Sequence, residues 1–308
     1  MKVFTQFNGE LKSVWESVVT AYPSHVPYST FAWHKAWFET LGKGFELFVF
    51  VNTDTSIVIP LVVKDGTAHF CGGEECGDYL DAIGPNEKKS NAWNHALKLL
   101  AAQRVTFVDL RNIPSDSNTI EIFKKLPNAR IEQEDTTPIV PLPESFDAYL
   151  ASLDRKNRHE LRRKVRRFDE SYPESTISVL EGKSTDIPLL VKLMKLDADK
   201  HKFLTQEMEQ FFLRLPEIVG DNLLQINLVQ NTDVVATTLA FRHSHTLLLY
   251  NSGYVHSFDG AGFYLKAKVI EWAINQQFHH YNLLQGNERY KYELGGNDYF
   301  VYQIRMKL

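Results

Sequence analysis

Apolar and polar positions follow two rhythms along the first third of the chain. Over residues 10–20, ELKSVWESVVT, the apolar Leu11, Val14, Trp15, Val18 and Val19 recur at three- and four-residue intervals, which puts them on one side of a helix. Pro23 and Pro27 interrupt the next stretch. STFAWHKAWFETLG then predicts a second short helix, capped at Ser29 or Thr30 and stopped at Gly42. In FELFVFVNTDTSIVIPLVVKDG the rhythm changes to two β-rich runs that meet at Asn52-Thr53-Asp54, as in a hairpin. Pro60 in the second run predicts an edge strand or a bulge. After the Gly72-Gly73 turn come the short apolar patch DYLDAIG, a helix over KKSNAWNHALKLLAAQ and a strand over VTFVDLRN, so the local order is β-β-β-α-β.

The second half repeats that order. LLQINLVQNTDVVATTLAFRHSHTLLLYNSGYV reads as a hairpin through Asn231-Thr232-Asp233 and a third strand, followed by the helix FYLKAKVIEWAINQQ and the strand HHYNLLQGN. The two Asn-Thr-Asp turns lie 179 residues apart, and so do Trp93 and Trp272 in the two helices. Agreement of order, spacing and helix tryptophan together implies a duplicated α/β unit, residues 1–145 and 146–308.

Between the two repeats, Pro138, Pro141 and Pro143 mark a linker, and a helix over 150–170 follows, ended by Pro173. Leu153, Leu161, Val165 and Phe168 share one side of it, while Arg155, Lys156, Arg158, Arg162, Arg163, Arg166 and Arg167 crowd the rest. Like charges at that density repel one another, so the patch calls for an anionic neighbour: a phosphate, a polyanion such as tRNA, a membrane surface or the protein's own acids. A solvated helix face is the plainer alternative. Residues 186–220 read as an insertion of two helices.

Composition narrows the function. The 308 residues are 44% hydrophobic and 23% charged with a net charge of −4, ordinary globular material rather than a general binder of polyanions. Only two cysteines occur, Cys71 and Cys76, which favours a reducing cytoplasm over a disulfide-stapled secreted fold. HFCGGEEC offers His69 beside them, but no second cluster completes a tetrahedral metal set, so no metal is expected. The opening residues lack the apolar core of a signal peptide, and no window reaches the length of an apolar membrane span.

Four segments, STFAWHKAWFETLGKG with FELFVFV, CGDYLDAIG, RKNRHELRRKVRRF and YNLLQGNERYKYELGG, occur in an order that resembles the GNAT-fold acetyltransferase family found beside cellulose and exopolysaccharide synthesis genes, itself related to the FemAB peptidyltransferases. The resemblance spans nearly the whole chain. It implies an α/β fold of tandem GNAT-like mixed-sheet domains with a FemAB-like duplication. It also implies a terminal motif whose glycine, acid, tyrosine and lysine fall on Gly286, Glu288, Tyr290 and Lys291. With Arg289, these residues are expected at the mouth of a site beyond a strand end, Tyr290 donating a proton to a leaving thiolate or binding substrate, and Lys291 steadying an acceptor carboxylate or phosphate.

In such a fold the pyrophosphate of an acyl-CoA lies at a helix start, where free N–H groups point outward. That place is HSFDGAGFYLKAKVIEW, with Ser257, Gly260 and Gly262 as the donor-binding turn. The glycines match the usual Q/R-x-x-G-x-G/A pattern. Ser257 stands where Gln or Arg is expected, and Asp259 adds a negative charge, so a plain turn remains open. Asp78 and Asp81 are candidate proton acceptors flanking Tyr79, a candidate substrate contact, and backbone-binding or capping roles are the alternative for both acids. His256, beside a strand end, is a further candidate base, and Arg158 and Arg162 are candidate contacts to an anionic substrate.

The expectation is therefore a cytoplasmic acyltransferase using acetyl-CoA or another acyl-CoA as co-substrate, with an amine or hydroxyl of a sugar or cell-envelope precursor as acceptor. The alternatives are a FemAB-like transferase that grips aminoacyl-tRNA through the basic helix, and a non-catalytic scaffold of a polysaccharide or envelope synthesis complex.

Overall fold

The computed structural model describes residues 1–54 and 56–308, which form two compact units, Met1–Asp135 with Phe300–Leu308, and Thr136–Tyr299. The first contains β1 (Lys2–Phe4), α1 (Gly9–Ala21), α2 (Phe31–Thr40), β2 (Glu46–Asn52), β3 (Ile57–Lys64), β4 (Thr67–Phe70), α3 (Lys89–Ala102), β5 (Phe107–Pro114), α4 (Asn118–Phe123) and β6 (Ala129–Thr136). Its sheet runs β1-β2-β3-β4-β5-β13-β6, where β13 (Phe300–Lys307) is the last strand of the chain. The second contains β7 (Ile139–Pro141), α5 (Phe146–Ser152), α6 (Arg155–Ser171), β8 (Ser175–Glu181), α7 (Ile187–Met194), α8 (Ala198–Phe203), α9 (Gln206–Leu213), α10 (Leu215–Val219), β9 (Leu223–Gln230), β10 (Asp233–His243), β11 (Thr246–Tyr254), α11 (Ala261–Asn275), β12 (His280–Asn282) and α12 (Arg289–Glu293). Its sheet order is β7-β12-β11-β10-β9-β8.

Local signals account for most of these elements. Asn8 opens α1 by accepting from the Leu11 amide at 2.9 Å, and the helix buries Leu11, Trp15 and Val18. Thr30 caps α2 in the same way, and Gly42 follows because a Cβ there would stand 2.5 Å from the Phe38 carbonyl oxygen. Trp93 on α3 packs edge-on against Phe70 and Phe123 and donates from Nε1 to Thr119 Oγ1 at 3.1 Å, which joins helix to sheet in the first core. Its counterpart Trp272 on α11 is only half buried, so the repeat preserves position but not burial.

The duplication is visible strand by strand. β2, β3 and β4 correspond to β9, β10 and β11 as antiparallel neighbours, and β4/β5 and β11/β12 are the parallel pairs. Each sheet then adds an antiparallel strand from elsewhere in the chain, β13 beside β5 and β7 beside β12. The sequence boundary at 145/146 therefore differs from the structural one. The chain enters the second sheet at β7, and its last nine residues return to the first. A strand's apolar pattern says that it will be buried, but not which sheet will bury it.

Two further differences have local causes. Pro60 sits inside β3, paired with Val49, rather than at an edge. Its carbonyl accepts from Cys71 just beyond the last residue of β4, so its missing N–H falls where that ladder has ended. The insertion over 186–220 holds four short helices rather than two, because Asp197 and Thr205 cap new starts and Pro216 opens α10. Among the described residues no helix is long and apolar enough to cross a membrane.

Candidate active site

In the second unit, β11 and β12 pair in parallel only over Thr246–Leu248 against His280–Asn282. β11 continues to Tyr254 on β10 alone, and the chain after β12 turns aside through Leu284 and Gly286, both at positive φ. An extra residue in β11, Tyr250, produces a bulge opposite the Leu239–Ala240 step. Beyond it stands Ser252, where side chains rather than backbone fill the space between the parting strands.

Those side chains form a lysine cluster. Lys266 on α11 is 7% exposed, with Nζ 3.4 Å from Ser252 Oγ and 4.9 Å from the centre of the Tyr290 ring. Lys200 on α8 donates to the Ser252 carbonyl oxygen. Burial pushes Lys266 down to about 7, helped by the charges of Lys200 and Lys291 and opposed by Glu288. Lys200 is also lowered, chiefly by burial, and Tyr290 is raised by burial and by Glu288. Three ammonium groups thus share Glu288, whose side chain is 56% exposed, and Asp197 is a second carboxylate beside Lys200. Such a cluster favours a developing negative charge, and an amine poised near neutrality can take up a proton.

The terminal motif gathers here, but Lys291 has a different place from the one expected. It lies in the interior at 1% exposure. Nζ donates to the carbonyl oxygens of Leu284 (2.8 Å), Gln285 (2.5 Å) and Gly286 (3.2 Å) and pairs with Glu288 at 3.1 Å. Its donors hold the turn rather than a substrate. Gly286, at φ +114°, lets Glu288 approach, because a Cβ would lie 2.3 Å from Glu288 Oε2. Arg289 is exposed and pairs with Glu293 at 2.8 Å.

The proposed donor turn is built as a pinned corner. Gly260 is the left-handed N-cap of α11 (φ +84°), and a Cβ on Gly262 would stand 2.9 Å from the Tyr254 ring. Ser257 and His256 are exposed, the imidazole stacking on Tyr254 at 5.0 Å. Asp259 pairs with Arg167 at 2.8 Å, which cancels the charge that would repel a phosphate. Phe168 stacks on Tyr264 at 4.2 Å, clamping α6 to this corner.

On α6, Leu161 and Phe168 point inward as their spacing predicts. Arg163, Lys164 and Arg166 pair with Glu160, Glu293 and Glu170, and Arg158 donates to the Ala151 carbonyl oxygen at 3.4 Å. Arg155, Lys156 and Arg162 form no ion pair among the described residues.

Asp78, Tyr79 and Asp81 belong to the first unit. Asp78 accepts from the Tyr28 hydroxyl at 3.0 Å, and Tyr79 is buried against Tyr28 and His25. Asp81 is a structural carboxylate, a correction to its expected role as a base. Oδ1 accepts from the Ala82 amide (2.7 Å) and Thr119 Oγ1 (2.6 Å), and Oδ2 from Lys89 Nζ and Ser117 Oγ (both 2.5 Å). Four donors occupy the four lone-pair sites of a carboxylate, leaving none for a substrate proton. Burial raises the thiols of Cys71 and Cys76, and among the described residues no group of three or more His, Cys, Asp or Glu side chains stands together to hold a metal.

Sequence reasoning missed Lys200, Ser252 and Lys266. A signal existed for Lys266: it stands one helical turn after Gly262 and one before Ile270, on the face that α11 buries. Lys200, in DADKHKF, had none.

Residues 155–292 match the family model of the acetyltransferase (GNAT) domain. Solved structures resemble the whole chain. A conserved protein of unknown function from Bacteroides thetaiotaomicron VPI-5482 has a TM-score of 0.69 at 12% identity, with 100% of each chain covered. FemX has a TM-score of 0.63 at 12% identity, covering 98% of this chain and 97% of its own. L-PGS from Bacillus licheniformis has a TM-score of 0.63 at 11% identity, covering 97% and 91%. No curated protein matches the sequence. At these identities the likeness is one of fold. The fold is thus two mixed-sheet domains with helices in a GNAT-like tandem that resembles the FemAB-type duplication.

Proposed function

We propose that the second unit catalyses acyl transfer from an acyl-CoA, most simply acetyl-CoA, to an amine or hydroxyl of a sugar or cell-envelope precursor, in the cytoplasm and in the setting of polysaccharide or envelope synthesis. The observation that carries this reading is the buried Lys266, lowered to about 7 where two parallel strands part. Neutral Lys266 takes a proton as the acceptor attacks the thioester carbonyl. The charges of Lys200 and protonated Lys266 stabilise the oxyanion. Tyr290, held protonated, supplies a proton to the departing thiolate. The test is thiol release from acetyl-CoA with amino sugars and nucleotide sugars as acceptors. Lys266→Met is expected to lower kcat by about 10²–10⁴-fold. An unchanged kcat removes Lys266 from the chemistry.

A second reading, transfer from aminoacyl-tRNA, draws support from Arg155, Lys156 and Arg162 on α6, which form no ion pair among the described residues. It predicts donor binding that weakens steeply with salt. Acetyl-CoA turnover in RNA-free buffer would exclude it as the sole activity.

A further inference from the structure

α6 carries positive charge that neither the fold nor the acyl-transfer chemistry uses. The helix holds eight lysines and arginines against three acids, in a chain whose net charge is −4. On one side of it Arg163 and Lys164 are paired with Glu160 and Glu293. On another, Arg155, Arg158, His159, Arg162 and Arg166 follow one another at three- and four-residue steps and form a stripe along the helix. Arg158 is half-buried and the other four are exposed. Arg155 and Arg162 form no ion pair among the described residues, and Arg166 meets Glu170 only at 3.7 Å with both side chains largely in solvent, where such a pair contributes little. The stripe begins in the first turn, at the positive end of the helix dipole, so its cations there are unfavourable to the helix itself.

Beside the later part of the stripe runs an apolar groove between α5, α6 and α11, with Arg162 and Arg166 on its rim. Phe146 and Val165, both half-buried, give its walls, and Leu150 and Ala267 lie deeper. Its two acids are engaged: Asp169 accepts from the Tyr264 hydroxyl at 2.6 Å, and Glu271 pairs with Lys268 at 3.0 Å.

We propose that this face of the second unit docks on a bilayer of anionic phospholipid, the arginines meeting the phosphates and the groove receiving an acyl chain. Charge complementarity selects an anionic partner, and the groove selects among anions. A row of cations flanked by apolar surface matches the boundary where headgroup phosphate gives way to hydrocarbon. A polynucleotide offers the phosphates without the aliphatic part, so the groove favours lipid over the tRNA that the arginines alone would also fit.

This surface does not rest on the acyl-transfer reading, whose failure would show in thiol release and not in vesicle binding. The test is sedimentation of the full chain with vesicles of phosphatidylcholine alone and of phosphatidylcholine mixed with an equal amount of phosphatidylglycerol, with transfer RNA as a separate probe. Binding is expected to the phosphatidylglycerol vesicles only, and is expected to weaken as salt rises. Arg155→Gln combined with Arg162→Gln is expected to lower the partition coefficient about 25-fold, about fivefold for each cation lost beside an anionic surface. The melting temperature should not change, because both side chains are exposed and in no ion pair. Phe146→Trp reads the groove: phosphatidylglycerol brominated on its acyl chains is expected to quench its fluorescence beyond the quenching of the parent. The proposal is overturned if both kinds of vesicle bind alike, if the double arginine variant keeps the parent's partitioning, if Phe146→Trp shows no added quenching, or if transfer RNA is bound and the vesicles are not.

Discussion

Replacing Lys266 with methionine keeps the length of the side chain and removes its charge, and the consequence for stability should depend on pH. The side chain is buried, and its pKa falls from 10.5 to about 7 in the folded protein, for the most part through burial. Between those values the unfolded chain binds the proton that the folded protein has lost. Stability therefore rises with pH from about 7 towards 10.5, and below 7 the full penalty of a buried charge is present. At 1.36 kcal/mol per pH unit, that fall corresponds to at most about 5 kcal/mol. Lys266→Met should thus be more stable than the parent at pH 6 by a few kcal/mol, with the difference level up to about pH 7 and shrinking from there towards pH 10. Urea unfolding of both proteins at one-unit pH intervals measures it. A difference that stays constant with pH, or grows as pH rises, would refute the assignment of a desolvated amine at this position.

Three other substitutions probe the surrounding structure. Asp81→Asn leaves the Lys89 ammonium buried beside a neutral amide and should cost about 3–5 kcal/mol, read as a lowered urea midpoint. Lys291→Met strips three carbonyl oxygens of their donor and should cost about 3 kcal/mol or more, with amide exchange rising first across residues 284–286. Gly253→Ala drives a Cβ to 2.5 Å from the Met194 amide nitrogen, where α7 packs on β11. It should cost about 1–3 kcal/mol in thermal melts, and a neutral result would show that α7 can move away.

Much of the fold was legible because it rests on local rules. The apolar spacing of Leu11, Trp15 and Val18 and the cap at Thr30 define their helices without help from distant residues. The paired Asn-Thr-Asp turns exposed the duplication because hairpin turns carry a composition of their own. The candidate site was legible only in part. GNERYKYELGG does gather beside the parting strands, yet it was read there with Lys291 as a reagent, and the structure makes that lysine a brace. Asp81 looked like a base because a carboxylate in sequence shows none of the donors that surround it in space.

The sequence by itself determined most of the helices and strands, that the unit occurs twice, and that a glycine turn precedes α11. All of these depend on backbone preferences and on contacts within a few residues. Tertiary structure alone decided that β13 completes the first sheet and β7 the second, because strand pairing is a choice among distant partners. It also decided that Lys200 and Lys266 meet at Ser252. The chemistry of a lysine is set by the water it loses and the charges it meets, and both come from parts of the chain far away in sequence.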